Sequence, residues 1–353
     1  MTTRVLEINP ENPERNRIQT AVDIVLLGGL AIIPTETVYG IAADMANQKA
    51  IDRLYKVKQR PSDKPFTLHI DSKQRVEELC TGLNPQVYKL IDKFWPGPIT
   101  LILSSRNQGK VGLRMPDDNI ALSLISAVGR PLVCPSANLS GKPAPVNFED
   151  AMKDLDGQVD VAIDAGKTRL GTASTVVDLT KEPYEIVRPG SIDARDIDSV
   201  YRKKTVLFVC TGNSCRSVMA QEYLKKKLKD AKRDGDIEVI SAGILGISNL
   251  GVSGETKQVL ESEGIFIQGH RSQRISSLMI KKSDIILVME KMHEQRILEL
   301  VPEADKKVFL LKEFAQNNDE SLDIEDPISR PAEFHEYVFS VIKESINRLI
   351  KIL

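Results

Sequence analysis

Residues 205–217 place the tightest constraint on what this 353-residue chain can fold into. An apolar run ends abruptly at Cys210, and Arg216 and Ser217 follow before a stretch of helix-forming residues. This order predicts a strand, a tight loop and the N-terminus of a helix, with a thiol at the start of the loop and a guanidinium at its end. The N–H groups of so short a loop converge on one point, and the helix adds its positive end. The segment therefore predicts a site that binds a phosphate and attacks it.

Each polar residue of this loop has a part in such chemistry. Covalent cleavage of a phosphate monoester needs a nucleophile, a cradle for the phosphate oxygens and an acid for the leaving group. Cys210 can be the nucleophile as a thiolate, and Arg216 can grip two phosphate oxygens side by side. Ser217 can hydrogen-bond the sulfur, and Asn213 tolerates the left-handed backbone that the loop needs. The structural alternative is a buried cysteine that packs as a small hydrophobic residue.

The length of the chain predicts two domains, because the thiol loop lies past the midpoint and about 200 residues precede it. We place the domains at 1–191 and 204–353, with a polar linker at 192–203. In the first, helices alternate with short strands, which predicts α/β or α+β packing, and some strands follow one another without a helix, which predicts a mixed sheet. Its predicted helices are 13–28, 47–58, 84–93, 119–128 and 147–155, and its predicted strands are 30–33, 66–70, 99–104, 131–134, 159–163, 174–179 and 184–188.

In the second domain every predicted strand is separated from the next by a helix, the rhythm of an α/β fold with a four-stranded parallel sheet. The predicted strands are 205–209, 237–241, 284–288 and 307–310.

Composition and charge exclude several classes of protein. A net charge of −1 gives no general attraction to nucleic acid or to a membrane. The longest apolar run, 24–33, is too short to span a bilayer, and the N-terminal residues do not read as a signal peptide. Without a secretion signal, the four cysteines are expected to be reduced thiols. We therefore expect a cytoplasmic protein.

Residues 209–217, Val-Cys-Thr-Gly-Asn-Ser-Cys-Arg-Ser, resemble the signature of the low-molecular-weight protein phosphatase family. Ser241-Ala242-Gly243, His270-Arg271-Ser272 and Asp326-Pro327 follow in that family's order, so the resemblance covers about 204–353. It implies an α/β doubly wound fold, no metal or other cofactor, and a phosphoprotein substrate. It also implies that Asp326 is the general acid, which protonates the departing group.

Two positions bear on the substrate that this resemblance implies. Tyrosine-specific members carry a bulky aliphatic residue where Ser214 stands, and an aromatic residue where Ile328 stands. Arginine-phosphatase members have Thr-Gly-Asn-Thr in the loop, closer to this chain. We therefore favour phosphoarginine over phosphotyrosine as a hypothesis. Cys215 either fills space or forms a reversible disulfide with Cys210, and both roles stay open.

The first domain carries polar motifs without a Walker loop or a G-x-G-x-x-G loop, so cations and hydroxyls would have to grip a triphosphate. Taken singly, each motif also has a structural interpretation as a solvated helix end, a core histidine or a capping turn. The motifs are Pro-Thr-Glu-Thr-Val-Tyr-Gly at 34–40, Lys56-Val-Lys58-Gln-Arg60-Pro-Ser-Asp-Lys64-Pro65, His69, Trp95-Pro-Gly-Pro, Val-Gly-Leu-Arg114-Met-Pro, Pro135-Ser136-Ala-Asn138, Thr172-Ala-Ser174-Thr175 and Arg188-Pro-Gly.

Together and in order, these motifs resemble the threonylcarbamoyl-adenylate synthase family over about 8–191. The resemblance implies an α+β fold, namely a twisted mixed sheet with a concave basic pocket that binds ATP with Mg²⁺. The implied reaction joins L-threonine, bicarbonate and ATP into threonylcarbamoyl-AMP and releases pyrophosphate, and downstream transfer proteins use the product to modify tRNA adenosine. The implied threonine-binding residues are Thr37, His69, Arg114 and Ser174, and the implied ATP-binding residues are Arg60, Lys64, Cys134, Ser136, Asn138 and Arg188.

The two resemblances together predict a bifunctional enzyme. Longer synthases carry a different extension after their linker, so 192–204 is the one segment here that could serve as a lid over the pocket. A different class stays open, namely an RNA-binding or assembly protein whose second domain senses phosphate. A weak tRNA contact is left open, and no membrane partner is expected.

Overall fold

The structure is a computed structural model that describes residues 2–107, 109–245, 249–317 and 320–353. It divides into two compact units. The first runs up to Leu83 and continues over Leu90–Asp198, and the second comprises Asn84–Lys89 and Ser199–Leu353. A helix at Ala194–Arg202 spans the division, and the domain limits expected at 191 and 204 stay predictions. Within the described part of the chain, every helix is too short or too polar to cross a bilayer.

The first unit is built on one ten-stranded mixed sheet, which confirms the predicted α+β class. The strands are β1 Arg4–Glu7, β2 Ala31–Ile33, β3 Gly40–Asp44, β4 Leu68–His69, β5 Ile99–Ser104, β6 Lys110–Arg114, β7 Leu132–Val133, β8 Val161–Asp164, β9 Thr175–Asp178 and β10 Glu185–Arg188. Their order in the sheet is β1-β8-β2-β3-β7-β4-β6-β5-β9-β10. The sheet contains both parallel pairs, such as β4 with β6, and antiparallel pairs, such as β5 with β6.

Short polar side chains start several helices of the first half of the chain. The side chains of Asn47, Asp118 and Asn147 each accept a hydrogen bond from a backbone N–H in the first helical turn. The helices at 15–26 and 119–128 share one apolar core, in which Val22 and Leu124 are buried. The helices are α1 Arg15–Leu26, α2 Gln48–Lys58, α3 Arg75–Leu79, α4 Pro85–Phe94, α5 Asn119–Val128, α6 Phe148–Lys153 and α7 Ala194–Arg202.

The second unit has a four-stranded parallel sheet with strand order β12-β11-β13-β14, as predicted. Its central strand is apolar on both sides because each face carries a core. Phe208 belongs to one apolar cluster and Leu207 to the other, which confirms the doubly wound class. The elements are β11 Lys204–Cys210, α8 Arg216–Asp230, β12 Ile237–Gly243, α9 Gly254–Ser262, α10 Ser277–Lys282, β13 Ile285–Val288, α11 Lys291–Leu300, a 3-10 helix Pro302–Lys307, β14 Val308–Leu310, α12 Leu311–Phe314 and α13 Ala332–Leu349.

This strand order places a functional crevice at one position. The chain moves from β11 outward to β12 and then returns to β13 on the other side of β11, so the topology switches direction at β11. Ligands of open parallel sheets bind outside the carboxyl ends of the strands at such a switch point. Cys210 is the last residue of β11.

Candidate active sites

The thiol of the second unit lies at the entrance of a short loop between β11 and α8. The backbone N–H of Asn213 donates to Cys210 Sγ at 3.3 Å. Ser217 Oγ lies 3.0 Å from the same sulfur. Both neighbours can donate hydrogen bonds to sulfur, as a thiolate nucleophile requires.

Asn213 fixes the shape of this loop. Its φ of 55° is left-handed, a conformation that asparagine adopts more readily than most residues. Its side-chain amide donates to Ser217 Oγ at 3.1 Å and to Ser241 Oγ at 2.8 Å, and its Oδ1 accepts from the N–H of Gln273 at 3.0 Å. His270 Nε2 donates to the carbonyl of Asn213 at 2.9 Å. The loop is therefore pre-shaped by neutral hydrogen bonds from three segments of the chain.

Gly243, the last residue of β12, lets this loop approach the sheet. A Cβ at this position would lie 2.8 Å from the carbonyl oxygen of Thr211 and 3.0 Å from the backbone nitrogen of Asn213. In proteins, a Cβ atom is essentially never found closer than 3.0 Å to a backbone atom of this kind. The glycine of the Ser-Ala-Gly motif is therefore required by the close backbone contact.

The Arg216 guanidinium is buried and surrounded by acceptors. Its Nη1 donates to the carbonyl of Ile324 at 2.7 Å and lies 2.9 Å from Glu290 Oε2. Its Nη2 donates to Thr211 Oγ1 at 2.9 Å and contacts Asp326 Oδ2. The structure thus brings the predicted arginine and the predicted acid into direct contact at the loop.

Sequence reasoning missed three side chains of this site: Thr211, Glu290 and His293. His293 is buried, its Nε2 lies 3.0 Å from Thr211 Oγ1, and its Nδ1 accepts from the N–H of Glu290 at 3.0 Å. Burial, with the Arg216 charge nearby, lowers the pKa of His293 to about 4. One signal was available in the sequence. Glu290 and His293 have the Ncap–N3 spacing of a capping box, directly after the β13 strand.

The two loop residues that precede Arg216 have different neighbours. Ser214 is half-buried and its Oγ lies 3.7 Å from Cys215 Sγ. Cys215 is a buried free thiol whose sulfur lies 3.3 Å from Ser253 Oγ.

Ile328, two residues beyond Asp326, is 60% exposed. The position that would stack on a phenol ring is therefore a solvent-facing aliphatic residue.

A cavity of about 170 Å³ in the first unit gathers most of the residues that the sequence assigned to threonine and ATP. Three of the assigned residues, Thr37, Lys64 and Asn138, are not part of its lining. Lys58 and Thr100, which were not assigned, are part of it. The assigned residues that line the cavity are Arg60, His69, Arg114, Cys134, Ser136, Ser174 and Arg188.

Arg114, at the end of β6, is held by a buried carboxylate that the sequence analysis did not single out. Its Nη2 lies 2.7 Å from Glu36 Oε2 and donates to Thr37 Oγ1 at 2.7 Å. Thr37 Oγ1 in turn lies 2.9 Å from Thr35 Oγ1. Thr37 therefore supports Arg114 from behind. Burial and the Arg114 charge lower the pKa of His69 well below its usual value, so His69 is neutral.

Arg188 and Ser174, which the sequence assigned to different ligands, are hydrogen-bonded to each other. Arg188 Nη2 donates to the carbonyl of Ser174 at 2.8 Å and to its Oγ at 3.0 Å. Ser174 Oγ also lies 2.9 Å from Thr100 Oγ1. Burial and the charge of Arg114 lower the pKa of Arg188. The cavity therefore ends in two crowded guanidinium groups that an anion would stabilise.

Lys58, the last residue of α2, closes another side of the cavity. Its Nζ donates to the carbonyls of Ser136 and Asn138, both at 2.5 Å. Burial and the nearby Arg60 lower the pKa of Lys58 to about 8. The Asn138 side chain instead donates to the carbonyls of Leu139 and Lys142, so it fixes the loop.

Arg60 extends from the end of α2 toward the following loop. Its Nε donates to the carbonyl of Lys64 at 3.0 Å and its Nη2 to that of Pro65 at 3.2 Å. The guanidinium carbon lies 5.2 Å from the centroid of the Phe66 ring. These contacts hold the Arg60 guanidinium at the cavity wall. Lys64 takes part in them only through its backbone carbonyl.

The cysteines of the first unit are protonated thiols and therefore poor nucleophiles. Burial raises the pKa of Cys134 to about 12 and that of Cys80 to about 11. Cys134 therefore lines the cavity as a neutral thiol.

Replacing Glu36 with alanine is expected to destabilise the first unit by about 3–5 kcal/mol, because it leaves the Arg114 charge buried without its carboxylate. The single tryptophan, Trp95, is buried in this unit, so its fluorescence during urea unfolding measures the change. Asp117→Ala is the matched control, because it breaks the half-exposed contact with Arg169 and should cost under about 1 kcal/mol. Equal costs for the two variants would contradict the structural importance of the buried pair.

The folds and the two sites define a class: an α+β unit with a basic cavity, followed by a doubly wound unit with a thiol loop. Two family models match in that order. Residues 23–190 match the Sua5/YciO/YrdC model, described as "Telomere recombination". Residues 205–353 match the low molecular weight phosphotyrosine protein phosphatase model.

Relatives of the first unit give the particular family. The threonylcarbamoyl-AMP synthase of Pyrococcus abyssi is 38% identical over 199 residues, covering 54% of this chain and 58% of that protein. A putative threonylcarbamoyl-AMP synthase of Mycobacterium tuberculosis is 35% identical over 201 residues, covering 54% of this chain and 92% of that protein. The chain belongs to the threonylcarbamoyl-AMP synthase family. It spans little more than half the length of the first of these relatives.

Two solved structures agree with the observed fold. Escherichia coli YciO superposes with a TM-score of 0.51 at 28% identity, covering 55% of this chain and 99% of that one. P. abyssi Sua5 complexed with L-threonine gives 0.54 at 23% identity, covering 98% of each chain, which bears on the fold alone. The YwlE arginine phosphatase of Geobacillus stearothermophilus is 35% identical and covers 42% of this chain and 92% of that one. Its TM-score of 0.38 supports no conclusion about the substrate.

Proposed function

We propose that the first unit synthesises L-threonylcarbamoyl-AMP from L-threonine, bicarbonate and ATP and releases pyrophosphate. The observation that supports this most strongly is the cavity lined by Lys58, Arg60, Arg114 and Arg188. Attack of a carbamate oxygen on the α-phosphorus forms one P–O bond and breaks the bond to pyrophosphate. This step needs charge neutralisation and alignment more than a strong base.

The two ends of the cavity suit the two substrates. Arg60 and Lys58, on the α2 side, can neutralise the phosphates, with Lys64 in the adjoining loop. At the other end, neutral His69 and the hydroxyl of Ser174 can hydrogen-bond threonine beside Arg114. The described residues contain no group of three or more His, Cys, Asp or Glu side chains that could hold a metal ion. Phosphate oxygens are preferred ligands of Mg²⁺, so a Mg²⁺ ion that arrives with the triphosphate would supply further charge neutralisation.

The purified chain should release pyrophosphate only when threonine, bicarbonate and ATP are all present. Leaving out each component in turn, with a coupled pyrophosphate assay, measures this dependence. The product would then pass to tRNA-modifying transfer proteins in the cytoplasm. Tight binding of tRNA without any pyrophosphate release would contradict the proposal and favour an RNA-binding or assembly protein.

We propose that the second unit hydrolyses a phosphorylated protein side chain through a cysteinyl-phosphate, with no cofactor. Cys210 sulfur attacks phosphorus, the bond to the leaving group breaks, and Asp326 gives that group a proton. Water then attacks the phosphocysteine, the P–S bond breaks to return the thiolate, and a proton of the water passes to Asp326 as inorganic phosphate leaves. The hydrogen bonds on the sulfur and the Arg216–Asp326 contact support this assignment. A bound phosphate would compete with Asp326 for Arg216 and so release the acid toward the leaving group.

We propose phosphoarginine as the substrate in preference to phosphotyrosine. The Ser214 hydroxyl lies in the loop, where it can contact a guanidinium or the attacking water, and exposed Ile328 offers no aromatic surface for a phenol ring. Ser214→Ile should lower turnover of a phosphoarginine peptide about tenfold more than that of a phosphotyrosine peptide, since it removes one polar contact. Ser214→Thr is the matched control, because it keeps the hydroxyl. An equal change on both peptides would remove the basis of the preference.

A further inference from the structure

His293 is a buried titratable side chain at the phosphatase site that the proposed chemistry does not use. It is completely buried in the first turn of α11 and does not reach the loop sulfur in any hydrogen bond. Its two ring nitrogens have different partners. Nδ1 faces the N–H of Glu290 at 3.0 Å, and Nε2 faces Thr211 Oγ1 at 3.0 Å.

These partners fix the tautomer of the ring. The pKa of His293, lowered to about 4 by burial, makes the ring neutral near pH 7, so it carries one proton. The backbone N–H of Glu290 can only donate, so Nδ1 is the acceptor. The proton is therefore on Nε2, which donates to Thr211 Oγ1. Glu290 Oε2 lies farther from Nε2, at 3.5 Å.

Thr211 links His293 to Arg216, the arginine proposed to bind phosphate. It directly follows Cys210, and its Oγ1 accepts from Arg216 Nη2 at 2.9 Å. With His293 as the second donor, both acceptor positions of the hydroxyl are occupied. The Thr211 rotamer is then set by the imidazole, and the Nη2 side of the guanidinium is set by Thr211.

We propose that His293 is a positioning residue of the phosphate site, which orients Arg216 for phosphate through the hydroxyl of Thr211. This inference rests on the proposed phosphatase function of the second unit. It predicts that loss of the Nε2 donor weakens the grip on phosphate itself, because a misdirected guanidinium loses its side-by-side contact with two phosphate oxygens.

The competing explanation is that His293 only completes the N-terminal cap of α11 through Nδ1. Two amide variants separate the explanations. The asparagine amide ends near the position of Nδ1, so His293→Asn can accept from Glu290 but cannot reach Thr211. The glutamine amide extends as far as Nε2, so His293→Gln can still donate to Thr211.

The experiment compares the full-length wild type, His293→Asn and His293→Gln. We measure kcat and KM for para-nitrophenyl phosphate, the inhibition constant of inorganic phosphate, and the urea midpoint of the second unit. His293→Asn should lower kcat/KM and weaken phosphate inhibition, each about tenfold, the upper range for one lost hydrogen bond between neutral groups. His293→Gln should retain clearly more of both. Wild-type kinetics in His293→Asn, or greater loss in His293→Gln, would overturn the proposal in favour of a capping role.

Thr211 provides a test that does not disturb the α11 cap. Thr211→Val removes the hydroxyl at nearly constant volume, and Thr211→Ser restores it. In a double-mutant cycle, Thr211→Val should add little to the loss already caused by His293→Asn. Fully additive losses would contradict a shared route to Arg216. If the wild type turns over no phosphate ester, the phosphatase proposal fails. Calorimetric titration of the same variants with inorganic phosphate then still decides the role of His293.

Discussion

Replacing Cys210 with serine is expected to abolish phosphate-ester hydrolysis while leaving pyrophosphate release unchanged. A serine hydroxyl is hardly ionised near neutral pH and is a weak nucleophile without an adjacent base. Loss of a covalent nucleophile costs about 10⁴-fold or more in kcat. The substitution is nearly isosteric, and the donors at Asn213 and Ser217 remain in place. Turnover of para-nitrophenyl phosphate measures the loss.

Phosphate binding provides the control for Cys210→Ser. The Arg216 guanidinium and the loop N–H groups are unchanged, so inorganic phosphate should still bind the variant in a calorimetric titration. Hydrolysis within tenfold of the wild type would exclude Cys210 as the nucleophile. Loss of pyrophosphate release in the same variant would contradict two independent sites.

The second large effect is expected from Arg60→Ala, which should reduce pyrophosphate release about 10²- to 10³-fold, the range for a lost charge-stabilising donor. The Arg60 fork lines the cavity but packs against the backbone of 64–65 and the Phe66 ring, so its loss should not unfold the unit. Arg60→Lys keeps the charge but not the fork, and it should fall between alanine and wild type. Initial rates at saturating threonine and bicarbonate, over a range of ATP concentrations, measure the effect.

Arg53→Ala is the matched control for this experiment. Arg53 lies on the same helix, α2, but contacts Asp160 and is not part of the cavity lining. It should leave pyrophosphate release unchanged. Comparable losses in both variants would point to a damaged helix instead of a lost phosphate contact, and unchanged release in Arg60→Ala would exclude Arg60 from the ATP site.

The sequence predicted the second unit well because its strands carry an unambiguous pattern. Each lies between helices on both faces, so it is a short, nearly continuous apolar run bounded by polar residues. The predicted 205–209 and 237–241 correspond to strands of seven residues each, Lys204–Cys210 and Ile237–Gly243. The extensions are polar or small residues at strand ends, where pairing with a neighbour decides the boundary.

The first unit was predicted less completely because several of its strands depend on distant partners. β1, Arg4–Glu7, is exposed at three of its four positions and polar at two, and it becomes a strand by pairing with 161–164. β3, Gly40–Asp44, is fully buried but made mostly of small residues that do not alternate. Lys110–Arg114 has a glycine at its centre. Local propensity gives no signal in such segments, and the sheet overrides it.

The candidate site residues also differ in how far the sequence could predict them. Arg216 and Ser217 were predicted from their spacing to Cys210, whereas Arg188 was assigned only through the family resemblance of its motif. Lys58, Glu36 and His293 were not assigned, because each functions through a partner distant in the sequence or through complete burial. Burial is a property of the folded chain, so neither the cation motif that contains Lys58 nor the capping-box spacing of His293 showed that these side chains would be enclosed.

The protonated, enclosed thiols of the first unit have a consequence for a cell under oxidative stress. Peroxides and alkylating agents react with ionised, accessible sulfur. Cys80 and Cys134 are neither ionised nor accessible to such reagents, because both thiols are buried and their pKa values are raised. We therefore expect oxidants to spare these two thiols, so that pyrophosphate release by the proposed synthase would outlast treatment of the protein with peroxide.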